Sequence, residues 1–297
     1  MTRTEVSVRS KVVRRLQTPK GHYAMLALDQ RESLRAMFPR DDGGSPVSDR
    51  TLRAFKQAGI EVLTPHASAV LLDRPYAVTA TRPLGIAENC GLIVAADVLH
   101  QTTGQAITDV SFDELVTIEL LQKVEADAIK LLVLWHPTTG RDQRARLVTR
   151  AVDLAVNAGV ASLIEGITKP DHGQSWTSDS ERHDAILSCA EELTSFEPDI
   201  YKAEVPGYVS GDVSQVAEQS AQMSAIVGGD WVVLSSGVDK DMFAAAVTEA
   251  RIGGATGFLA GRAIWADTVL EADIRHALST RSVDRLERLA AIVGSEN

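Results

Sequence analysis

The chain is short of cysteine: Cys90 and Cys189 are the only two in 297 residues. Two thiols suggest neither a disulfide framework nor a zinc site, and they suit a reducing compartment. Basic charge is also lacking. Lys and Arg number 30 against 40 Asp and Glu, a formal charge of −10. No basic patch is available to neutralise phosphates, so nucleic acid is not an expected partner. The basic residues near the start, through Arg14 and Arg15, are interrupted by Val and Ser. They read as a solvated segment of roughly 20 residues leading into the fold. No apolar run approaches the roughly 18 residues of a membrane helix. Nor does the N-terminus show the basic-then-apolar order of a secretory signal. These absences point to the cytoplasm, with neither membrane nor nucleic acid as partner.

What is present is ordinary globular material, with 44% hydrophobic and 24% charged residues, close to average usage. A chain of this length buries a large core without disulfides or structural metal. Short apolar runs recur at 24–30, 68–73, 92–97, 128–135, 161–167, 200–206, 231–237 and 257–263. Such runs, rich in Val, Ile and Leu, suit parallel strands covered on both faces. Between them, helical spacing predicts helices at 49–58, 112–124, 143–157, 180–193, 213–226 and 241–252. Ser48 or Asp49, Ser111, Ser178 or Asp179, and Asp239 are the candidate N-caps. Gly59, Gly159 and Gly253 with Gly254 are candidate stops.

This alternation implies βαβ units, and eight in succession predict one closed (β/α)8 barrel spanning 1–297. An open nucleotide-binding sheet would be expected to carry a glycine-rich turn after its first strand. Leu28-Asp29-Gln30-Arg31-Glu32 stands there instead, without glycine. Two irregular stretches, 40–46 and 168–180, read as loops at or near the catalytic face.

In such a barrel, functional groups sit at the C-terminal ends of strands. Four charged residues occupy strand positions that an apolar core would not otherwise tolerate: Asp29, Lys130, Glu165 and Lys202. A lysine in a core strand costs free energy unless it is paired or neutral. If Lys202 points inward, desolvation and a neighbouring Lys130 ammonium favour the neutral amine that attack on a carbonyl requires. Glu165 would then carry protons. The bland alternative is that both lysines face outward in ordinary ion pairs.

The last two strands add a separate signal. Leu234-Ser235-Ser236-Gly237 and Ala260-Gly261-Arg262 place small residues and one arginine at their ends. Amides exposed by glycine form the usual phosphate cradle there, and Arg262 would add a bidentate cation. Either segment alone is also common turn chemistry. His22, His66, His100 and His136 show no close metal-ligand spacing and suit surface or supporting roles. His136 and Trp135 follow the Lys130 strand and are candidates for the substrate mouth. Asp73 and Asp97 could be catalytic or could cap the segments that follow.

At these residues the chain resembles a known family. Ala27-Leu28-Asp29-Gln30-Arg31, Asp127-Ala128-Ile129-Lys130-Leu131-Leu132, Asp199-Ile200-Tyr201-Lys202-Ala203-Glu204-Val205-Pro206 and Gly257-Phe258-Leu259-Ala260-Gly261-Arg262 are similar to the tagatose 1,6-bisphosphate aldolase family of class I aldolases. Stretches 25–38 (MLALDQRESLRAMF), 66–73 (HASAVLLD), 93–97, 130–135 (KLLVLW) and 231–239 (WVVLSSGVD) bring it nearer to the branch that cleaves 6-deoxy-6-sulfofructose 1-phosphate, in sulfoquinovose degradation. The resemblance runs from about residue 20 to the last strand.

It implies a Schiff base on Lys202, Glu165 as acid and base, and Lys130 and Asp29 completing the group. It places the C1 phosphate on Ser236, Gly237, Gly261 and Arg262. Gln30, Arg31 and Ser235 would hold the sulfonate or the sugar hydroxyls, although bisphosphate-cleaving relatives also carry Asp-Gln-Arg. The products would be dihydroxyacetone phosphate and sulfolactaldehyde. No cofactor or metal is implied, and a homo-oligomer is. Glu165 is followed here by Gly166-Ile167 and a loop of distinct composition, a departure that bears on the lid and the anion partner. The competing expectations are a tagatose or related ketose bisphosphate as substrate, a zinc-dependent class II aldolase using the histidines, and a non-catalytic sugar-phosphate sensor.

Overall fold

A computed structural model describes residues 12–40 and 43–295 of the chain. The start of the basic N-terminal segment, and positions 41 and 42 of the 40–46 loop, lie outside the described residues. In chain order the strands are β1 (Tyr23–Leu28), β2 (Ala69–Asp73), β3 (Gly91–Ala95), β4 (Asp97–His100), β5 (Asp109–Phe112), β6 (Ala128–Trp135), β7 (Ala161–Thr168), β8 (Ile200–Ala203), β9 (Trp231–Val233) and β10 (Gly257–Ala260). Eight of them close a parallel barrel in the order β1, β2, β3, β6, β7, β8, β9, β10. All eight apolar runs become barrel strands. The expected (β/α)8 architecture is what the chain forms.

Alternation along each strand separates two cores. One set of side chains, including Met25, Leu71, Ile93, Leu163, Ile200, Val232 and Leu259, fills the barrel interior. The other set, including Leu26, Val70, Val94, Leu131, Ile164 and Tyr201, packs under the helices. Fully burying one such aliphatic side chain stabilises by roughly 1.5–3 kcal/mol. The interior set is apolar only in its lower layers. Two residues further along the same faces stand Lys130 after Ala128, Glu165 after Leu163, and Lys202 after Ile200. The pleat that buries the core therefore lifts these charges to the mouth.

The helices depart from expectation in instructive places. The run expected as a helix at 112–124 begins as β5, which pairs antiparallel with β4. Val110 and Phe112 alternate with exposed Asp109 and half-buried Ser111, a two-residue period that favours a strand. The helix starts only at Ile118, capped by Thr117, whose Oγ1 accepts from Leu120 N at 3.3 Å. Ser111 does not cap it but meets His100 Nε2 across the hairpin at 2.8 Å.

Helix Asp49–Leu63 runs straight through Gly59. A Cβ there would lie 3.1 Å from a Leu28 methyl, so this glycine marks close packing on β1 rather than a stop. Gly159 does end its helix, Arg141–Ala158, with φ of +71°. Ser178 caps helix Asp179–Thr194 by accepting from Glu181 N at 3.1 Å. No helix among the described residues is long and apolar enough to cross a membrane.

Candidate active site

The cavity at the C-terminal mouth of the barrel has a volume of about 340 Å³. Asp29, Lys130, Glu165 and Lys202 form its charged wall. Neighbouring strands bring the last three together: β6 pairs with β7, and β7 with β8, in a register that sets Lys202 beside Glu165, while Asp29 reaches in from the end of β1. Both lysines point inward, with only 1% of Lys130 and 4% of Lys202 exposed. The alternative of outward lysines in ordinary surface pairs is thereby set aside.

Glu165 stands between the two ammonium groups. Its Oε1 lies 3.0 Å from Lys202 Nζ and its Oε2 lies 2.9 Å from Lys130 Nζ. Lys130 is further held by Asp29 Oδ2 at 2.9 Å and Asp97 Oδ2 at 3.0 Å. Burial would push the Lys130 ammonium down, yet the carboxylates of Asp29, Asp97 and Glu165 outweigh it and hold it well above the usual lysine range. Asp29 shows the converse. Burial pushes its carboxyl up, but Lys130, Lys202 and the hydrogen bond from Lys130 hold it well below the ordinary value. So Lys130 stays charged, anchored by three acids, while Lys202 contacts one acid that it shares.

Asp97 is the acid that sequence reasoning left undecided. Fully buried, it receives the main-chain N–H of Leu132 at 3.0 Å as well as Lys130. Arg31 also reaches it, donating to Asp97 Oδ1 at 3.0 Å and to its carbonyl at 2.7 Å. Arg31 thus braces Asp97 and does not line the cavity, whereas Gln30 does. The buried Gln30 Oε1 has no partner among the described residues. Asp73 turns instead to Lys56, an ion pair 1% exposed or less on both sides, with Lys56 Nζ also donating to Leu28 O at 2.6 Å.

The segments after β9 and β10 supply the second wall, with Ser235, Ser236, Gly261 and Arg262. Arg262 donates to Ser236 Oγ at 3.0 Å, joining the two segments. Gly261 is required by close approach, since a Cβ there would stand 2.6 Å from Ala27 O and 2.8 Å from Gln30 Nε2. Gly237 takes φ of +80°, a left-handed turn that favours glycine. It does not line the cavity, and a Cβ there would lie 3.7 Å from the Arg182 guanidinium.

The Tyr-Lys-x-Glu motif acquires a physical meaning. Tyr201, on the outer face, donates to Cys189 Sγ at 3.5 Å, and burial pushes its hydroxyl well above the usual range. Glu204 accepts Thr168 N at 2.8 Å, Thr168 Oγ1 at 2.7 Å and Arg182 at 2.9 Å. It clamps the end of β8 to the end of β7, the two strands that carry Lys202 and Glu165.

The histidines lie elsewhere. His66 meets Glu287, His100 meets Ser111, and His136 Nδ1 lies 2.9 Å from Pro170 O beside the His172 ring. None of these, nor His22, lines the 340 Å³ cavity. Among the described residues no three His, Cys, Asp or Glu side chains converge as a metal-binding group. Trp135, a candidate for the mouth, faces the helices and donates to Glu192 at 2.9 Å. Sequence reasoning passed over the hairpin residues Gln101 and Gln105, and Lys169 after β7, all of which line the cavity. For Lys169 the signal was present, because it continues the inward alternation of Glu165 and Ile167.

Known proteins fit this architecture. A tagatose 1,6-diphosphate aldolase of Listeria monocytogenes is 29% identical over 291 residues, covering 86% of this chain and 81% of the relative. Tagatose 1,6-diphosphate aldolase 2 of Streptococcus pyogenes is 27% identical, covering 84% and 82%. Among solved structures, the fructose-bisphosphate aldolase of Plasmodium falciparum superposes with a TM-score of 0.74 at 12% identity, over 100% of this chain and 97% of that one, a likeness of fold. The family model for DeoC/LacD family aldolases matches residues 23–267. The chain therefore belongs to the DeoC/LacD family of aldolases, and is a carbon–carbon lyase.

Proposed function

We propose that the chain cleaves a ketose 1-phosphate through a Schiff base on Lys202, and that its substrate is 6-deoxy-6-sulfofructose 1-phosphate. The observation that carries the chemistry is Glu165 shared between Lys130 and Lys202, at 2.9 and 3.0 Å. Lys202 gives a proton to Glu165 and attacks the C2 carbonyl. Glu165 returns protons to the departing hydroxyl as the carbinolamine loses water to form the iminium. Removal of the C4 hydroxyl proton then breaks the bond between C3 and C4, and the electron pair moves to the iminium nitrogen. The aldehyde leaves, the enamine is protonated at C3, and water releases dihydroxyacetone phosphate.

The permanent charge on Lys130 keeps an electrostatic counterweight beside the reacting centre. Ser236, Gly237, Gly261 and Arg262 hold the C1 phosphate. Gln30, with its unpaired Oε1, accepts a sugar hydroxyl, and Ser235 supports the same side. Arg31 we assign to positioning Asp97. The sulfosugar is favoured by the sequence stretches around β1, β6 and β9 that resemble that branch. A second reading, tagatose 1,6-bisphosphate, is favoured by the activity named for the Listeria and Streptococcus relatives.

Borohydride reduction in the presence of each ketose, followed by mass spectrometry, tests both. A dihydroxyacetone phosphate adduct on Lys202, absent from Lys202→Ala, is the expected result. Faster turnover of the bisphosphate than of the sulfosugar would replace the first substrate with the second. Ligand binding without any product would convert the protein into a sensor.

A further inference from the structure

Four cationic side chains line the mouth cavity: Lys130, Lys169, Lys202 and Arg262. Lys130 is matched by three carboxylates and Lys202 by Glu165. Lys169 and Arg262 have no carboxylate within ion-pair distance among the described residues. Two cations without a carboxylate partner, on different strand ends of one cavity, offer contacts to two anionic groups on the ligand rather than one.

Their placement separates those groups. Arg262 follows β10, whereas Lys169 follows β7, three strands away round the barrel. The ladder between β6 and β7 continues one step past the strand, with Lys169 N donating to Trp135 O at 2.8 Å. This holds Lys169 in the inward phase of the pleat, two residues beyond Ile167, so its half-buried side chain leans over the mouth. The hairpin formed by β4 and β5 follows β3, across the barrel from β9. Its Gln101 and Gln105 line the same cavity and make no side-chain hydrogen bonds among the described residues. They provide neutral donors suited to a tetrahedral oxyanion.

We propose that Lys169, with Gln101 and Gln105, binds the anionic group at the distal end of the substrate and selects ketoses charged at both ends. This rests on the reading of Lys202 as the Schiff-base amine and of Arg262 as the partner of the C1 phosphate. The distal group is a tetrahedral oxyanion, either phosphate or sulfonate. Lys169 contacts this group and takes no part in bond cleavage. Its signature is therefore selectivity.

The test compares wild type, Lys169→Gln and Lys169→Arg on a ketohexose 1-phosphate, tagatose 1,6-bisphosphate and 6-deoxy-6-sulfofructose 1-phosphate. The expected result is a fall of about tenfold to a hundredfold in the ratio of kcat/KM for the doubly charged substrate to that for the singly charged one, carried by KM. Lys169→Arg recovers most of that ratio. A loss confined to the bisphosphate names phosphate as the distal anion, and one confined to the sulfosugar names sulfonate. An unchanged ratio in Lys169→Gln, with every substrate affected alike or none affected, overturns the proposal. Borohydride trapping of dihydroxyacetone phosphate separates this from the underlying chemistry. The adduct forms in Lys169→Gln if Lys202 is the nucleophile, and its absence from wild type as well overturns the Schiff-base reading on which the proposal depends.

Discussion

Asp97 joins Lys130 to Arg31, its Oδ2 3.0 Å from the ammonium while its Oδ1 accepts from Arg31. One carboxylate thus ties the end of β3 to β6 and to the segment after β1. Asp97→Asn keeps the shape but removes one of the three charges around Lys130. The expected cost is about 1–3 kcal/mol of stability, measured by urea unfolding. A positioning role further requires kcat to fall at least about tenfold with KM little changed. Equal losses of stability with kcat intact would leave Asp97 a structural residue only.

Arg262 bears a different kind of test because it is exposed and, among the described residues, its side chain bonds only to Ser236. Arg262→Ala removes an anion contact present before and during the reaction, so the deficit should fall on KM. An increase of about tenfold to a hundredfold is expected for any ketose 1-phosphate. Steady-state kinetics at several substrate concentrations checks this. A variant with normal KM and depressed kcat would contradict the phosphate assignment.

Much of this site could be read from sequence because burial makes charge conspicuous. Lys130, Glu165 and Lys202 stand out within runs such as AIKLLVLW, where each neighbour is apolar. The eight strands were legible for the same reason. Where the residues are not constrained to be apolar, the pattern fails. The hairpin strand Asp109–Phe112 has only four residues and runs into helix-compatible sequence, so alternation competes poorly with helical spacing. Lys169 continues the alternation of Glu165 and Ile167 but begins a segment of Pro, Gly and Asp that reads as loop, and the ladder continued to Trp135 is what keeps it in the strand's phase. Arg31 illustrates a further limit. Its position beside Asp29 was evident, but the direction of a long guanidinium depends on Asp97, 66 residues away.

The opposed shifts of Asp29 and Lys130 set a pH dependence of stability. Asp29 has a folded value below its unfolded one, so its contribution is complete above the ordinary carboxylate value and is lost as pH falls through the folded value. Lys130 has a folded value above its unfolded one. Its contribution is complete below the ordinary lysine value and is lost as pH rises through the folded value. Between about pH 5 and about pH 9 neither group should tilt the stability curve. Asp29→Asn removes the acid limb. The gap in urea midpoint between wild type and Asp29→Asn should therefore narrow from about pH 5 to about pH 2. A gap that stays constant over that range would mean that the buried pair does not hold Asp29 ionised.

Gly261→Ala isolates backbone geometry from charge, since it leaves every ionisable group in place. The added methyl would lie 2.6 Å from Ala27 O and 2.8 Å from Gln30 Nε2. The main chain of β1 cannot yield without disturbing its ladder to β10, in which Leu26 is paired with Ala260. The accommodation must come from the segment after β10, which carries Arg262, and from the amide of Gln30. Overpacking of this kind costs about 1–3 kcal/mol. The displaced segment would carry its phosphate donors off target, so the predicted signature is a rise in KM of about tenfold or more alongside a lower melting temperature. Adduct formation on Lys202 should persist at saturating dihydroxyacetone phosphate, because β8 lies two strands from β10. If Gly261→Ala melted early but bound substrate normally, the glycine would serve packing alone and the phosphate cradle would have to be sought elsewhere on the rim.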